Sequence, residues 1–563
     1  MNFSSIALDA ASRRDVSALA AAVLARIAER VWKLPPRRNP VRVTRSVGVP
    51  MSDGVTLVAD HYLPQVSGPA PTILVRTPYG RGAPYSALYG QLYAERGFHV
   101  VMQSCRGTFG SGGTFDPMRR EAGDGQDTVA WLRTQHWFDG RLITLGMSYL
   151  GFAHWALAVD PPPELIASVV HMAPHDFSKA AFRNGVFDWS NFLGWSEMVA
   201  HQHDAGPLGS IVRTATANRR LREPLNSFPL SEGAATLLGD GAPWFDGWLK
   251  HPSLDDPFWA DMQHGDGLQR LSVPTLLVGG WHDLFLEQTL EQYAALRQRG
   301  VPVRLLVGSW THVDLMYRGG PAVAESLAWL QRCVQGVAPS DNPVRVNVEG
   351  NGPWQELTDW PPPQSRNELW HLGGDHSIAP TPTGDGQPVT FRYDPHDPTP
   401  TAGGAIISPN AGPRDNRAVE NRHDVAVFTS TPLAKPLDVI GEVTAQISLT
   451  RDNPNADLFV RVCDVDPDGR SINVCDGIIR LNNEHPLTDT VKVSLNGTAH
   501  HFAAGHRVRV QIAGGAHPRF ARNPGTGTID SALTDMQPTS YAIAVGGDSN
   551  STICLPVWHN GNR

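Results

Sequence analysis

A chain of 563 residues, 41% of them apolar, is long enough to build two or three hydrophobic cores. Its net charge of −8 leaves no electrostatic footprint for nucleic acid or an anionic membrane, so neither is expected as a partner. The five cysteines, Cys105, Cys333, Cys463, Cys475 and Cys554, are odd in number and lack metal-ligand spacing, which reads as free thiols in a cytoplasmic compartment and no metal site.

In chain order, Val16, Leu19, Ala20, Val23, Leu24, Ile27 and Val31 recur at helical spacing among Arg13, Arg14, Arg26, Glu29 and Arg30, and the pattern stops before Pro35-Pro36. This predicts an amphipathic helix in an extension over 1–45. Its charges break the apolar run well short of the roughly 20 residues needed to span a bilayer, and no signal-peptide cleavage pattern follows. The helix is expected to dock on the body or on another subunit, which leaves a homo-oligomer open.

Over 46–175 strands alternate with helical segments, and the alternation resumes over 270–335, as in one α/β domain built from two parts. Pro71 to Val75 is an apolar strand followed by Tyr79. Leu142-Ile143-Thr144-Leu145 runs into Gly146-x-Ser148-x-x-Gly151, which has one more residue before its last glycine than the usual nucleophile elbow. A serine hydroxyl attacks poorly at neutral pH, so it must protrude from a tight turn beside a base and oxyanion donors. The interval 176–269 is rich in helix formers and aromatics: Phe177, Phe182, Phe187, Trp189, Phe192, Trp195, Trp244, Trp248, Phe258 and Trp259. It reads as a helical cap, most of these rings forming the cap's own core.

Two later strands end in residues of the complementary types. Pro274 to Gly280 leads to Trp281-His282-Asp283, and Val303 to Gly308 leads to Ser309-Trp310-Thr311-His312. In an open parallel sheet the crevice beyond the carboxyl ends of the strands gathers the chemistry. The order Ser148, Asp283, His312 is that of an α/β-hydrolase triad and excludes the chymotrypsin-like and subtilisin-like orders. Ser148 would attack a carbonyl, His312 serve as base and then acid, and Asp283 orient the imidazole. Plainer readings are a Gly-rich turn at Ser148, a surface loop at His312 and, at Asp283, a cap for the helix Leu284 to Leu296. From Gly336 the composition changes. Pro361-Pro362-Pro363 and the stretch near 380–402 are loops, while Val443 to Leu449, Leu458 to Val462 and Val508 to Ile512 alternate as strands, so 345–563 is expected to be an all-β domain.

Several of these segments resemble the cocaine esterase and X-Pro dipeptidyl-peptidase family: Arg76-Thr77-Pro78-Tyr79-Gly80-Arg81, Cys105-Arg106-Gly107-Thr108-Phe109, Gly146-Met147-Ser148-Tyr149-Leu150-Gly151, Gly280-Trp281-His282-Asp283 and Gly308-Ser309-Trp310-Thr311-His312. Asp424 to Leu433, Asp457 to Gly469 and Ala504 to Asn523 resemble its C-terminal β domain. The resemblance implies an α/β-hydrolase domain with an inserted helical cap and a C-terminal all-β jelly-roll domain, without cofactor or metal. It implies the same triad, an oxyanion hole from the Tyr149 backbone N–H and the Tyr79 phenol, and a substrate pocket including Trp195 and Phe285. Two departures stand out: Ser104 replaces an Asp in Asp-x-Arg-Gly, and His282 replaces a Tyr beside Asp283. His282 is expected to pack or support rather than to act as the base.

The function so implied is hydrolysis of a small-molecule carboxylic ester through an acyl-enzyme. The family also holds X-Pro dipeptidyl peptidases and α-amino-acid ester hydrolases, the latter with adjacent acidic residues shortly after the triad Asp. Here Leu284-Phe285-Leu286-Glu287-Gln288 offers only Glu287, which favours a neutral or apolar ester. The alternative from another class is a binding protein that works through its jelly-roll domain.

Overall fold

The computed structural model describes residues 10–203, 207–337, 342–383, 386–530, 533–546 and 551–559. Its first domain is organised by ten strands: β1 (Val41–Pro50), β2 (Thr56–Pro64), β3 (Thr72–Thr77), β4 (His99–Ser104), β5 (Leu142–Met147), β6 (Leu165–His171), β7 (Thr275–His282), β8 (Val303–Thr311), β9 (Val344–Asn347) and β10 (Trp354–Leu357). They pair in the order β1-β2-β4-β3-β5-β6-β7-β8-β9-β10. From β4 to β9 the neighbours are parallel, and antiparallel pairs close the two edges. Every residue of β3, β4, β5 and β7 is buried, as expected of a parallel sheet covered by helices on both faces.

The sheet reaches further in both directions than the composition suggests. It begins at Val41, inside the stretch assigned to the extension, and runs to Leu357, beyond the expected start of the β domain at 345. Gly336 ends the helix Gly320–Gln335 in the left-handed conformation, so the change in composition there marks a helix terminus. Val344 and Val346 then complete the apolar layer under Leu305 and Val307.

The N-terminal helix, α1 (Ala10–Val31), is present, but its expected apolar face is turned outward. Val23, Leu24, Ile27 and Val31 are 43%, 40%, 52% and 67% exposed, whereas Ala21, Ala25 and Ala28 are buried. Ala21 and Ala25 meet Ala87. Small residues permit a close approach of backbones that the branched side chains would block. The side chains of Val16, Leu19 and Ala20 lie outside the described residues. Among the described residues no helix is long and apolar enough to cross a membrane.

The cap interrupts the sheet between β6 and β7. Phe177, Phe182, Phe187, Trp189, Phe192, Trp248 and Trp259 are all buried in one cluster, so most of the cap's aromatics do build its own core. The C-terminal jelly roll packs two antiparallel sheets face to face. Leu437–Arg451 and Thr488–Phe502 pair in one, and Val425–Thr429, Arg507–Ala513, Ala456–Val465 and Ser471–Leu481 form the other. Alternate residues such as Val443, Ala445 and Ile447 meet Val460, Val462 and Val510 in the shared core.

Three buried histidines make this fold sensitive to acid. His154 bonds to Thr144, His171 Nε2 lies 2.9 Å from Ser326 Oγ, and His264 packs on the Phe152 ring. Burial lowers them to about 3, about 4 and about 4 respectively. The unfolded chain takes up protons near pH 6.5 that these rings refuse, so their contribution is complete above about pH 6.5 and declines as pH falls toward 4. Asp188, raised by burial to about 6, acts in the opposite sense but is outnumbered, because His61 and His517, each lowered by burial to about 3, add to these three. The thermal midpoint should therefore be level from pH 7 to 8 and drop steadily from 6.5 to 4.5. A level profile across the acid window would mean that these rings do not stay neutral.

Candidate active site

The strand β5 ends in a turn that only a particular sequence tolerates. Ser148 has φ 58° and ψ −124°, and α2 (Tyr149–Ala158) starts at the next residue. A Cβ on Gly146 would fall 2.3 Å from the Leu150 carbonyl carbon, and one on Gly151 would fall 2.5 Å from Ala173 Cβ. The displaced last glycine thus serves the contact between α2 and the segment after β6. The Ser148 N–H donates to the His171 carbonyl at 3.0 Å, and the Ser148 carbonyl accepts from Gly151 and Phe152 at 3.0 and 2.9 Å. Tyr149 occupies the first helical position, where a backbone N–H has no acceptor within the helix.

Asp283 follows β7 and His312 follows β8. His312 Nδ1 lies 2.6 Å from Asp283 Oδ1, and both residues are buried. The other carboxylate oxygen of Asp283 accepts the Phe285 N–H at 3.0 Å, so the residue braces the start of the following helix and orients the imidazole at once. The turn after His312 is held by reciprocal bonds between Thr311 and Asp314, at 3.2 and 3.3 Å.

Ser148, His312 and Tyr79 open onto one cavity of about 1070 Å³, walled by the α/β domain, the cap and the Ile407 to Arg414 loop of the β domain. Of the two expected pocket residues, Trp195 lies in this wall. Phe285 does not line it; it is buried and sets its ring edge-on to His312, with centroids 5.4 Å apart. Being tied to Asp283 through its N–H directs the ring to the imidazole.

Tyr79 sits in the loop after β3, where its N–H bonds to Thr77 Oγ1 at 3.1 Å. Its hydroxyl oxygen accepts the Trp195 indole N–H at 2.9 Å and contacts the Ser148 hydroxyl. Burial pushes the phenol up to about 12, so it keeps its proton at neutral pH. With Trp195 filling an acceptor position, the phenolic proton is free to point elsewhere.

Beneath the elbow lies a brace that sequence reasoning missed. The Tyr149 hydroxyl donates to Glu121 Oε1 at 2.8 Å and accepts the Met118 N–H at 3.0 Å. Glu121 is paired with Arg76 at 2.9 Å, and Arg76 also donates to Gln103 at 2.9 Å. Arg76 belongs to a recognised segment, but nothing in the sequence singles out Glu121. Cys105 is buried against the same carboxylate at 3.7 Å. Burial and then Glu121 push its thiol well above the usual range, which leaves it a small packing group.

Both departures have structural counterparts. Arg81 donates to the Ser104 hydroxyl and pairs at 3.1 Å with Asp60 of β2. His282 Nε2 lies 3.1 Å from Glu349, turning that ring to a partner of its own.

The chain matches the family models for X-Pro dipeptidyl-peptidase (S15 family) over residues 53–314 and for the X-Pro dipeptidyl-peptidase C-terminal non-catalytic domain over residues 336–553. It is 31% identical over 569 residues to the cocaine esterase of Rhodococcus sp. (strain MB1 Bresler), an alignment that covers 92% of this chain and 98% of that relative. An aminopeptidase from the marine sediment archaeon Thaumarchaeota archaeon superposes with a TM-score of 0.78 at 20% identity, covering 93% of this chain and 97% of that one. An α-amino acid ester hydrolase does so with a TM-score of 0.76 at 22% identity, covering 92% and 97%. These two structural likenesses speak for the fold alone. The sequence relationship goes further: the chain belongs to the cocaine esterase and X-Pro dipeptidyl-peptidase family and is an α/β-hydrolase enzyme of the serine hydrolase class.

Proposed function

We propose that the protein hydrolyses a neutral carboxylic ester through an acyl-enzyme on Ser148. The observation that carries this is the buried 2.6 Å bond between His312 and Asp283, on the same cavity as Ser148 and Tyr79. With Nδ1 held by Asp283, His312 Nε2 takes the Ser148 proton as Oγ bonds to the ester carbon. The oxyanion that forms is met by the Tyr79 hydroxyl and the Tyr149 N–H. As the tetrahedral adduct collapses, the bond to the alcohol oxygen breaks and His312 returns the proton to the departing alcohol. Water then repeats the sequence on the acyl-serine and frees the acid.

The charges around the cavity support a neutral substrate over a free α-amine. Among the described residues three carboxylates line it, and each is engaged. Glu197 is paired with Arg213 and Arg220, Glu349 with His282, and Asp314 accepts the Thr311 N–H. Glu287 lies in an ion pair with Arg183. Among the described residues an ammonium group would find only Asp314 without a cationic partner on this wall, and burying it away from that one carboxylate is costly.

Initial rates on a short-chain aryl ester and on a dipeptidyl X-Pro arylamide decide the reading. Ester turnover should exceed amide turnover by at least about 100-fold and disappear in Ser148→Ala; a preference for the amide would move the assignment to a dipeptidyl peptidase. No Ser148-dependent turnover and no labelling by an active-site phosphonate would leave a binding role for the jelly roll.

Tyr79→Phe should lower kcat about 10²- to 10³-fold with little change in KM, the usual cost of removing one oxyanion donor. His312→Ala should lose about 10⁴-fold or more in kcat. His282→Ala should stay within about tenfold of wild type while lowering the thermal midpoint, because Glu349 is left without its partner. Equal losses of activity in the two histidine variants would overturn these roles.

A further inference from the structure

We infer that α1 is a specificity element, with Trp32 closing an aromatic subsite that accepts a flat apolar group of the substrate. This rests on the esterase reading and extends it to the substrate's shape. The helix precedes the residues matched by the family models, which begin at 53.

The packing of α1 brings Trp32 to the cavity. Ala21 and Ala25 lie directly on Ala87, in the π-turn Ser86–Gln91, which also carries Leu88 and Tyr89. The helix end is pinned: Glu29 pairs with Arg96, and Arg96 also donates to the Pro35 carbonyl. The indole is held from a second direction. Its N–H donates to the Tyr317 carbonyl at 3.3 Å, and it lies over Gly320, where a Cβ would come within 2.9 Å of the ring. The missing side chain at Gly320 is what leaves room for the indole.

Trp32 then faces the cavity together with Tyr85, Leu88, Tyr89 and Tyr317. The subsite is continuous with the reacting atoms. Tyr79, which contacts Ser148, stacks on Tyr85 with centroids 5.7 Å apart, and Tyr85 on Tyr89 at 6.5 Å. A row of near-parallel aromatic rings with no carboxylate among these residues favours an aromatic, apolar group. Size points the same way, because about 1070 Å³ is at the upper end for a small-molecule site, where roughly 300–1,000 Å³ is usual, and a short-chain ester would leave most of it empty.

The test compares wild type, Trp32→Ala and Trp32→Phe on ethyl butyrate, 2-naphthyl acetate and ethyl 2-naphthoate, the last two placing the ring on the alcohol or the acyl side. Trp32→Ala should lower kcat/KM about tenfold or more for at least one naphthyl ester, chiefly through KM. It should leave ethyl butyrate within about twofold, and Trp32→Phe should recover most of the loss. Equal losses on all three esters, or no loss on either naphthyl ester, would overturn the subsite. Calorimetric binding of 2-naphthol, which needs no turnover, separates this from the parent reading. Tenfold weaker naphthol binding in Trp32→Ala with no ester turned over by wild type would retain the subsite and sink the esterase assignment, and unchanged naphthol binding would count against the subsite.

Discussion

Everything at this site depends on holding Ser148 in a backbone conformation that a residue with a side chain avoids. Such a conformation costs on the order of 1–3 kcal/mol and persists only when its surroundings over-determine it. Here they do so from both ends. β5 is paired with β3 as far as Thr144 and with β6 up to its last residue, Met147, which faces His171, while the carbonyl of Ser148 is bound into the first turn of α2. The strain lifts the hydroxyl off the sheet. The same parallel geometry delivers Tyr79 from β3, Asp283 from β7 and His312 from β8 to the one edge where their strands end.

A second constraint is electrostatic. Charges buried around the site are spent on one another, which fixes the elements that surround the cavity. Arg183 of the cap reaches Glu287, in the helix after Asp283, and Asn496 of the β domain. Asn191, in the cap helix α3 (Trp189–Ala200), donates to the Ala405 carbonyl and accepts the Ile407 N–H at 2.7 Å, tying that helix to the loop that forms the opposite wall. Deeper in the jelly roll, Asp476 lies between Arg461 and Arg519 at 2.8 and 2.7 Å. Burial works to raise its pKa, yet Arg519 and then Arg461 keep it well below the usual carboxylate range. Buried pairs of this kind add little net stability but punish any arrangement that separates them, and so favour one placement of cap, sheet and jelly roll over the others.

The sequence was most legible where chemistry and topology coincide. Ser148, Asp283 and His312 each follow an apolar run ending in glycine, and a parallel sheet sends such ends to one place, so three local signals were enough to anticipate one site. It was least legible where a contact joins distant segments through side chains of ordinary type. Trp195 stood out as an aromatic of the cap, but its bond to Tyr79 spans two domains and leaves no periodicity. Glu121 looks like any acidic residue opening a helix. The face of α1 was misread because hydrophobicity ranks valine and isoleucine above alanine, whereas the fit against Ala87 depends on smallness. The strands β9 and β10 were hidden behind a glycine whose role is to end a helix.

The bond between Trp195 and Tyr79 places the proposed oxyanion donor in contact with the cap. Tyr79 lies in the loop after β3, but its hydroxyl oxygen accepts from an indole on α3, and α3 is tied in turn to the β domain through Asn191. A shift of α3 by an ångström would leave the bond between Asp283 and His312 in place, because both residues follow strands of the sheet, yet it would slide Trp195 along the Tyr149 ring on which it stacks at 6.2 Å and release the phenol from its acceptor role. The hydrogen bond steepens with geometry, so small displacements matter. In the proposed reaction, then, nucleophile and base are properties of the α/β domain alone, whereas stabilisation of the oxyanion is shared with the cap that shapes the substrate cavity. A substrate that does not let the cap seat fully would be attacked by a competent serine and still meet a poorly aimed donor, which couples the fit of remote groups to the rate of the chemical step.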